Sequence, residues 1–181
     1  ANLSDADGKS VSVDYVVTSA PANNGLVTNT EVVENMTIDG GNYDTTDGKG
    51  LRGIYITAGG NYTVNNVIVR NLTYAINFNT TAPVTLAVSN STLEGWTSWG
   101  NSTTASFDNV KFECGKYANL KPYTSTTLKD CSFEAGFMID FTALNGVITL
   151  KNCTYNGTVL TAENFAHVAK IDGDCTGKIA F

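Results

Sequence analysis

Charge is scarce in this chain. Asp, Glu, Lys and Arg make up 15% of its 181 residues, and only Arg52 and Arg70 are arginines. Nucleic-acid binding needs a clustered positive footprint. A chain with net charge −6 and no basic cluster does not supply one, so no nucleic-acid partner is expected. No apolar run approaches the ~18 residues of a membrane-spanning helix. His167 is the single histidine, and the four cysteines form no C-x-x-C pair, which argues against zinc. No signal-peptide pattern opens the chain, as suits a mature form or a piece of something longer. What is abundant is Thr and Asn, a composition of β-structure with polar turns. The length suffices for one domain with a substantial core.

The chain repeats itself. Thr149–Gly157 reads TLKNCTYNG, and TLKDCSFEAG begins 22 residues earlier at Thr127. The shared phrase is an apolar residue, any residue, Asn or Asp, a small or apolar residue, any residue, then an apolar residue. Good copies centre on Asn35, Asn66, Asn90, Asn109, Asp130 and Asn152, and a degraded seventh runs through Asp174-Cys175. The intervals are 31, 24, 19, 21, 22 and 22. A period in this range marks a stacked-coil architecture.

The phrase has a physical reading. Apolar residues at +1 and +3 from the Asn alternate with polar ones, as on a half-buried strand. A further apolar residue stands at −2. On one straight strand, −2 and +1 face opposite ways, so both reach one core only if the chain bends at the Asn. Asn tolerates the left-handed backbone such a bend requires. Each coil therefore holds two short strands meeting at an Asn corner, and a third strand fills the rest. Candidates for the third are Gly53–Thr57, Tyr74–Asn79, Phe137–Phe141 and Val159–Ala162. Coils would stack ~4.8 Å apart, the ordinary strand spacing.

Repeated coils of the form L-x-N-C-T-F with an Asn at one bend resemble the right-handed parallel β-helix of the pectin-lyase-like superfamily. The likeness covers residues 31–175. It implies an all-β, right-handed β-solenoid of about six to seven coils, three strands each, with an asparagine ladder along one corner. Leucine-rich repeats, the rival solenoid, place their Asn after the strand and are dominated by Leu. The whole chain, 1–181, reads as one domain. Residues 1–30, with the apolar stretch Val11–Val17, form an N-terminal cap or first coil. Residues 176–181 form a C-terminal cap, with Ile179 or Phe181 laid against the core.

Cys131, Cys153 and Cys175 share the +1 position and read as an internal column of free thiols, because parallel stacked side chains keep their Cβ atoms too far apart to bridge without distortion. Cys114 stands out of register. Nine Asn-x-Ser/Thr sequons occur. The phrase itself spells several of them, including Asn35, Asn90 and Asn152, at corners expected to be buried between coils.

Departures from the repeat are where a solenoid carries function. The longest interval holds DGGNYDTTDGKGLRG, Asp39–Gly53, a loop thrown out of the coil. Asp39, Asp44 and Asp47 are candidate Ca²⁺ ligands there, and a solvated turn is the plainer reading. DADGKS at Asp5–Ser10 echoes a calcium loop but has its Gly misplaced. EGWTSWGNS, Glu94–Ser102, brings Trp96 and Trp99 into one corner. Exposed, their faces would stack on sugars; one ring out and one in is expected. The +4 position holds Asp39, Arg70, Glu94, Glu113, Glu134 and Asn156, a column of charges on successive coils.

The resemblance is specific for fold and not for function. It implies that an enzyme of this kind would be a polysaccharide lyase or a glycoside hydrolase, using Ca²⁺-binding carboxylates with an Arg or Lys base, or an NTD…DD…GHG…RxK set. None of those strings is present. Arg70 beside Asp39 and Glu94 is the nearest approach to a lyase site, so Arg70, Glu94, Glu113 and Glu134 are the catalytic candidates on that reading. Most intervals are too short for cleft-building loops. The expected function is therefore a non-catalytic extracellular, cell-surface or virion-fibre module, an adhesin binding a polysaccharide or cell-surface glycan through Trp96 and Trp99 and needing no cofactor. A plain architectural spacer is the third reading. A second copy of the chain, met through an end or a flat face, is the other candidate partner.

Overall fold

A computed structural model describes residues 3–4, 10–44 and 50–181. It is an all-β parallel solenoid of about six turns, 2% helical. One sheet takes eight short strands strictly in chain order, from Leu3–Ser4 and Gly25–Thr28 through Arg52–Ile56, Tyr74–Phe78, Trp96–Ser98, Asn119–Lys121 and Met138–Asp140 to Lys170–Asp172. The facing sheet has twelve strands. Its central members Gly60–Arg70, Val84–Glu94 and Thr103–Glu113 run 11 residues each.

Each long strand contains the corner. In Val84–Glu94 the inward residues are Val84, Leu86 and Val88, then Ser91 and Leu93, so the alternation slips by one at Asn90. Asn90 has φ 52°, and Asn35, Asn66, Asn109, Asp130 and Asn152 have φ between 51° and 55°. The left-handed residue turns the chain by one side-chain position, and −2 and +1 then face the same core. Register locks these positions into continuous rows. Val33, Val64, Val88, Phe107, Leu128 and Leu150 are neighbours from coil to coil, all at most 2% exposed. Another inward row ends in stacked rings, with Phe112 and Phe133 centroids 4.9 Å apart at 10°.

The corner side chains themselves are exposed, contrary to the expectation of burial. A left-handed residue between two inward-facing neighbours has only the outside to point to. Asn66 donates to Asn35 (2.9 Å), Asn109 to Asn90 (3.0 Å) and Asn152 to Asp130 (2.6 Å), whereas Asn90 donates to Asn65 (3.0 Å), one residue off the column.

Four cysteines are free, and Cys131 and Cys153 are buried. Hydrogen bonding with Cys153 and burial together push the Cys131 thiol above its ordinary pKa. Cys175 does not continue their column. Lys170–Asp172 pairs with Met138–Asp140, and Ile179–Ala180 pairs with Asn145–Lys151. Asp174-Cys175 therefore lies in the turn between the two sheets, where the Asp174 carboxylate accepts from the Thr176 N–H (2.9 Å).

Val159–Ala162 is likewise not a third strand. Thr154–Tyr155 folds back antiparallel onto Thr158–Val159 across the two residues Asn156-Gly157, with φ 48° and 78°. Asn-Gly between two extended pairs is a strong hairpin signal. The third strand of that coil is Lys170–Asp172, reached through the one-turn helix Phe165–Val168. Phe165 covers this end, 6.1 Å from Phe141 and 5.7 Å from Phe181. At the other end Val11 pairs with Val33 and Tyr15 with Ile38.

Candidate functional site

The outer face of the eight-stranded sheet carries an aromatic group. Arg52, Tyr74, Trp96 and Asn119 are register neighbours on successive coils. Gly95, with φ 107°, makes the turn that delivers Trp96 to this face. A Cβ there would lie 2.7 Å from the Thr73 carbonyl, so the approach of the two backbones requires glycine. Trp96 is half-buried, its ring 5.6 Å from Tyr74 and 5.9 Å from Tyr117, which stands edge-on at 87°. Tyr117 is 42% exposed. The Arg52 guanidinium lies 4.8 Å above the Tyr74 ring and 5.2 Å above Tyr55.

Beside these rings opens a cleft of about 310 Å³, lined by Trp96, Tyr74, Asn77, Ser98, Lys121 and Tyr123 among others. Its polar groups are positioned. Asn77 accepts from Arg52 Nε (2.8 Å) and donates to Ser98 (3.3 Å). Lys121 Nζ is held 3.2 Å from the Asp140 carboxylate. Burial alone would raise the Asp140 pKa, but hydrogen bonds from Thr142 and Lys121 outweigh it and hold the carboxyl below its ordinary value. One ring face with hydroxyl, amide and ammonium groups around it suits a ligand that is apolar on one side and hydroxylated at its rim.

Trp99 is placed differently. It is 1% exposed, its ring 5.3 Å from Phe107, and its Nε1 donates to Thr124 (3.1 Å). It is a core residue that touches the floor of the cleft.

The +4 column forms, with Asp39 beside Arg70, Glu94 beside Glu113, and Phe112 beside Phe133 bringing Glu113 next to Glu134. Asp39, Arg70, Glu94 and Glu134 are engaged in local structure. Asp39 accepts from Gly41 N, Asn71 Nδ2 and Arg70 Nε, each at 2.8 Å. Burial raises its pKa, and these bonds reverse the shift so that the net direction is down. Glu94 accepts from the Asn71 N–H (3.1 Å), and Glu134 from the Cys114 N–H. Arg70 pairs with Asp39 and, among the described residues, forms no ion pair with Glu94.

Asp44 accepts from Leu51 N (2.7 Å) and Thr73 Oγ1 (2.8 Å), with Lys116 3.5 Å away. Asp47 and the Asp5–Lys9 stretch lie outside the described residues. Among the described residues, no group of three or more His, Cys, Asp or Glu side chains is arranged to hold a metal ion. Among the described residues, no helix is long and apolar enough to cross a membrane.

Tyr74, Tyr117, Arg52 and Asn77 were not legible as site residues. A weak signal existed. Residues 52, 74 and 96 stand 22 apart, the same interval as the repeated phrase, and each opens a short strand. The chain matches no protein-family description, and no curated protein or solved structure is significantly similar to it. Fold and face together define a parallel β-solenoid with an aromatic cleft on one flank.

Proposed function

We propose that this protein is an extracellular, non-catalytic β-helix of the right-handed, pectin-lyase-like kind, with a ladder of corner asparagines, and that it binds glycans at the Trp96 cleft. The carrying observation is the Trp96–Tyr74–Tyr117 group beside a polar-rimmed cleft on the outer face of the eight-stranded sheet. A pyranose ring stacks its C–H face on an aromatic ring and hydrogen-bonds through its rim, which such a site matches. Asn77, Ser98, Lys121 and Tyr123 are the rim contacts on this reading. A surface-exposed or virion-fibre module would use such a cleft for attachment.

A glycan array run with and without calcium tests the reading. Binding to a defined glycan set, lost in Trp96→Ala with an unchanged circular dichroism spectrum, supports it. Binding retained in Trp96→Ala overturns the site. Release of reducing ends or unsaturated products from the bound glycans, abolished by Arg70→Ala or Glu113→Gln, overturns the non-catalytic assignment. An array with no hits leaves the architectural spacer as the better account.

A further inference from the structure

The twelve-stranded sheet has a second outer face, ahead of the asparagine corners and away from the aromatic cleft. One of its outward rows is charged and ordered. Glu34, Asn65, Ser89, Asp108, Lys129 and Lys151 are register neighbours on six successive coils. Acidic residues occupy the first and fourth places and lysines the last two. Among the described residues, Glu34, Asp108 and Lys151 enter no ion pair, and Lys129 only a loose one to Asp130 at 3.9 Å. The two parallel outward rows, from Thr63 to Thr149 and from Asn61 to Val147, hold Thr, Ser, Ala, Asn and Val and no charge. The face is thus neutral over most of its width and polarised along one edge.

We propose that two copies of the chain pair through this face, antiparallel, about a two-fold axis lying in the plane between them and perpendicular to the solenoid axes. That operation keeps the charged row opposite its own copy and reverses the order of coils. Lys151 of one copy then meets Glu34 of the other, Lys129 lies opposite Asn65, and Asp108 opposite Ser89, whose hydroxyl donates to Asn65 of its own copy (3.0 Å); each contact occurs twice as an isologous interface demands. Parallel pairing about the long axis would set the charged row against the neutral edge and use none of this complementarity. Six places in the charged row and five in each neutral row, at ~4.8 Å by ~6.6 Å per place, give about 500 Å² per copy, or about 1,000 Å² in all. That is the lower limit for a specific interface. A polar contact that rests on charge complementarity weakens with salt. The aromatic cleft lies on another flank and stays open, so the dimer would present two glycan sites.

Sedimentation velocity of the full chain over a concentration series tests this. The wild type is expected to move from monomer to dimer, with the midpoint rising as salt is added. Glu34→Lys and Lys151→Glu should each weaken dimerisation at least about tenfold, because each sets like charges together twice. The two variants mixed in equal amounts should dimerise with each other, since every charged contact is again between opposites. An affinity tag on one variant captures the hybrid. Thermal melts of both variants matching the wild type show that the fold is kept. A wild type that stays monomeric at every concentration, single variants that dimerise as well as the wild type, or a mixture that fails to pair would each overturn the proposal.

Discussion

The two sheets enclose the same core and are built on different rules. In the twelve-stranded sheet, strands of up to 11 residues carry the corner inside them. Each strand must present its −2, +1 and +3 residues inward and put a left-handed residue between. One sequence pattern satisfies all of this, so the pattern recurs on every coil. In the eight-stranded sheet, the strands of the middle coils are three to five residues long and each offers a central inward row, Ile54, Ile76, Thr97, Leu120 and Ile139. Few positions are dictated, and the outward ones vary freely: Arg52, Tyr74, Trp96, Asn119 and Met138. The regular sheet fixes the geometry, and the irregular one has room for a site.

The largest effect that would test this division is at Trp99, where the two sheets meet. Its ring packs on Phe107 of the long-strand sheet from the end of a short strand. Trp99→Ala should cost about 3–5 kcal/mol, the range for deleting a buried aromatic, read as a fall in the urea midpoint. Trp96→Ala, on the outer face and only half-buried, should cost less than that. Equal losses would mean that Trp96 is as much a core residue as Trp99.

Next in size are the corners. Asn152 has φ 51°, and an ordinary L-residue pays about 1–2 kcal/mol to stay in that region. Asn152→Ala should therefore destabilise by that amount and also lose the bond to Asp130 (2.6 Å). Asn152→Gly should recover most of the backbone part, because glycine occupies this region without a Cβ clash. A glycine variant as unstable as the alanine one would place the whole cost in the side-chain bond.

How much was legible follows from the same contrast. The rows of Val, Leu and Phe and all six left-handed corners could be read because one physical demand, two strands feeding one core, repeats at a fixed spacing. The outward direction of the corner side chains follows from the same geometry and was missed, as was the hairpin that Asn156-Gly157 announces. The third strands were less readable. Three residues alternating once carry almost no periodic signal, and Val159–Ala162 was assigned by spacing where Lys170–Asp172 takes the place. The residues around the cleft were visible only in part. Trp96 and Trp99 stood out as rare residues in a departure from the repeat, but Tyr74, Tyr117 and Arg52 converge on Trp96 only through the stacking of strands that sequence did not reveal. The acidic column was read correctly as a column. Whether a carboxylate there is free or spent on backbone N–H groups depends on turns between the coils, which the spacing does not show.

The smallest effects set the sheets side by side at one residue type. Thr97 belongs to the inward row of the short-strand sheet, between Ile76 and Leu120, at 0% exposure. Its Oγ1 is buried and has no hydrogen-bond partner among the described residues. Thr126 faces the core from the long-strand sheet at 4% exposure, and its Oγ1 donates to the Thr124 carbonyl at 3.2 Å. Valine has nearly the shape of threonine and the same β-branching, so strand preference is unchanged. Thr97→Val removes a desolvated hydroxyl that gains nothing in return and should stabilise by about 1 kcal/mol. Thr126→Val gives up a bond worth about 0.5–1.5 kcal/mol and also relieves the burial of its hydroxyl, so it should be neutral to mildly destabilising. The opposite signs, read from urea midpoints at constant slope, are the expected result. Destabilisation by Thr97→Val would mean that its hydroxyl has a bonded partner, and that the short-strand sheet is as fully specified inside as the sheet that repeats.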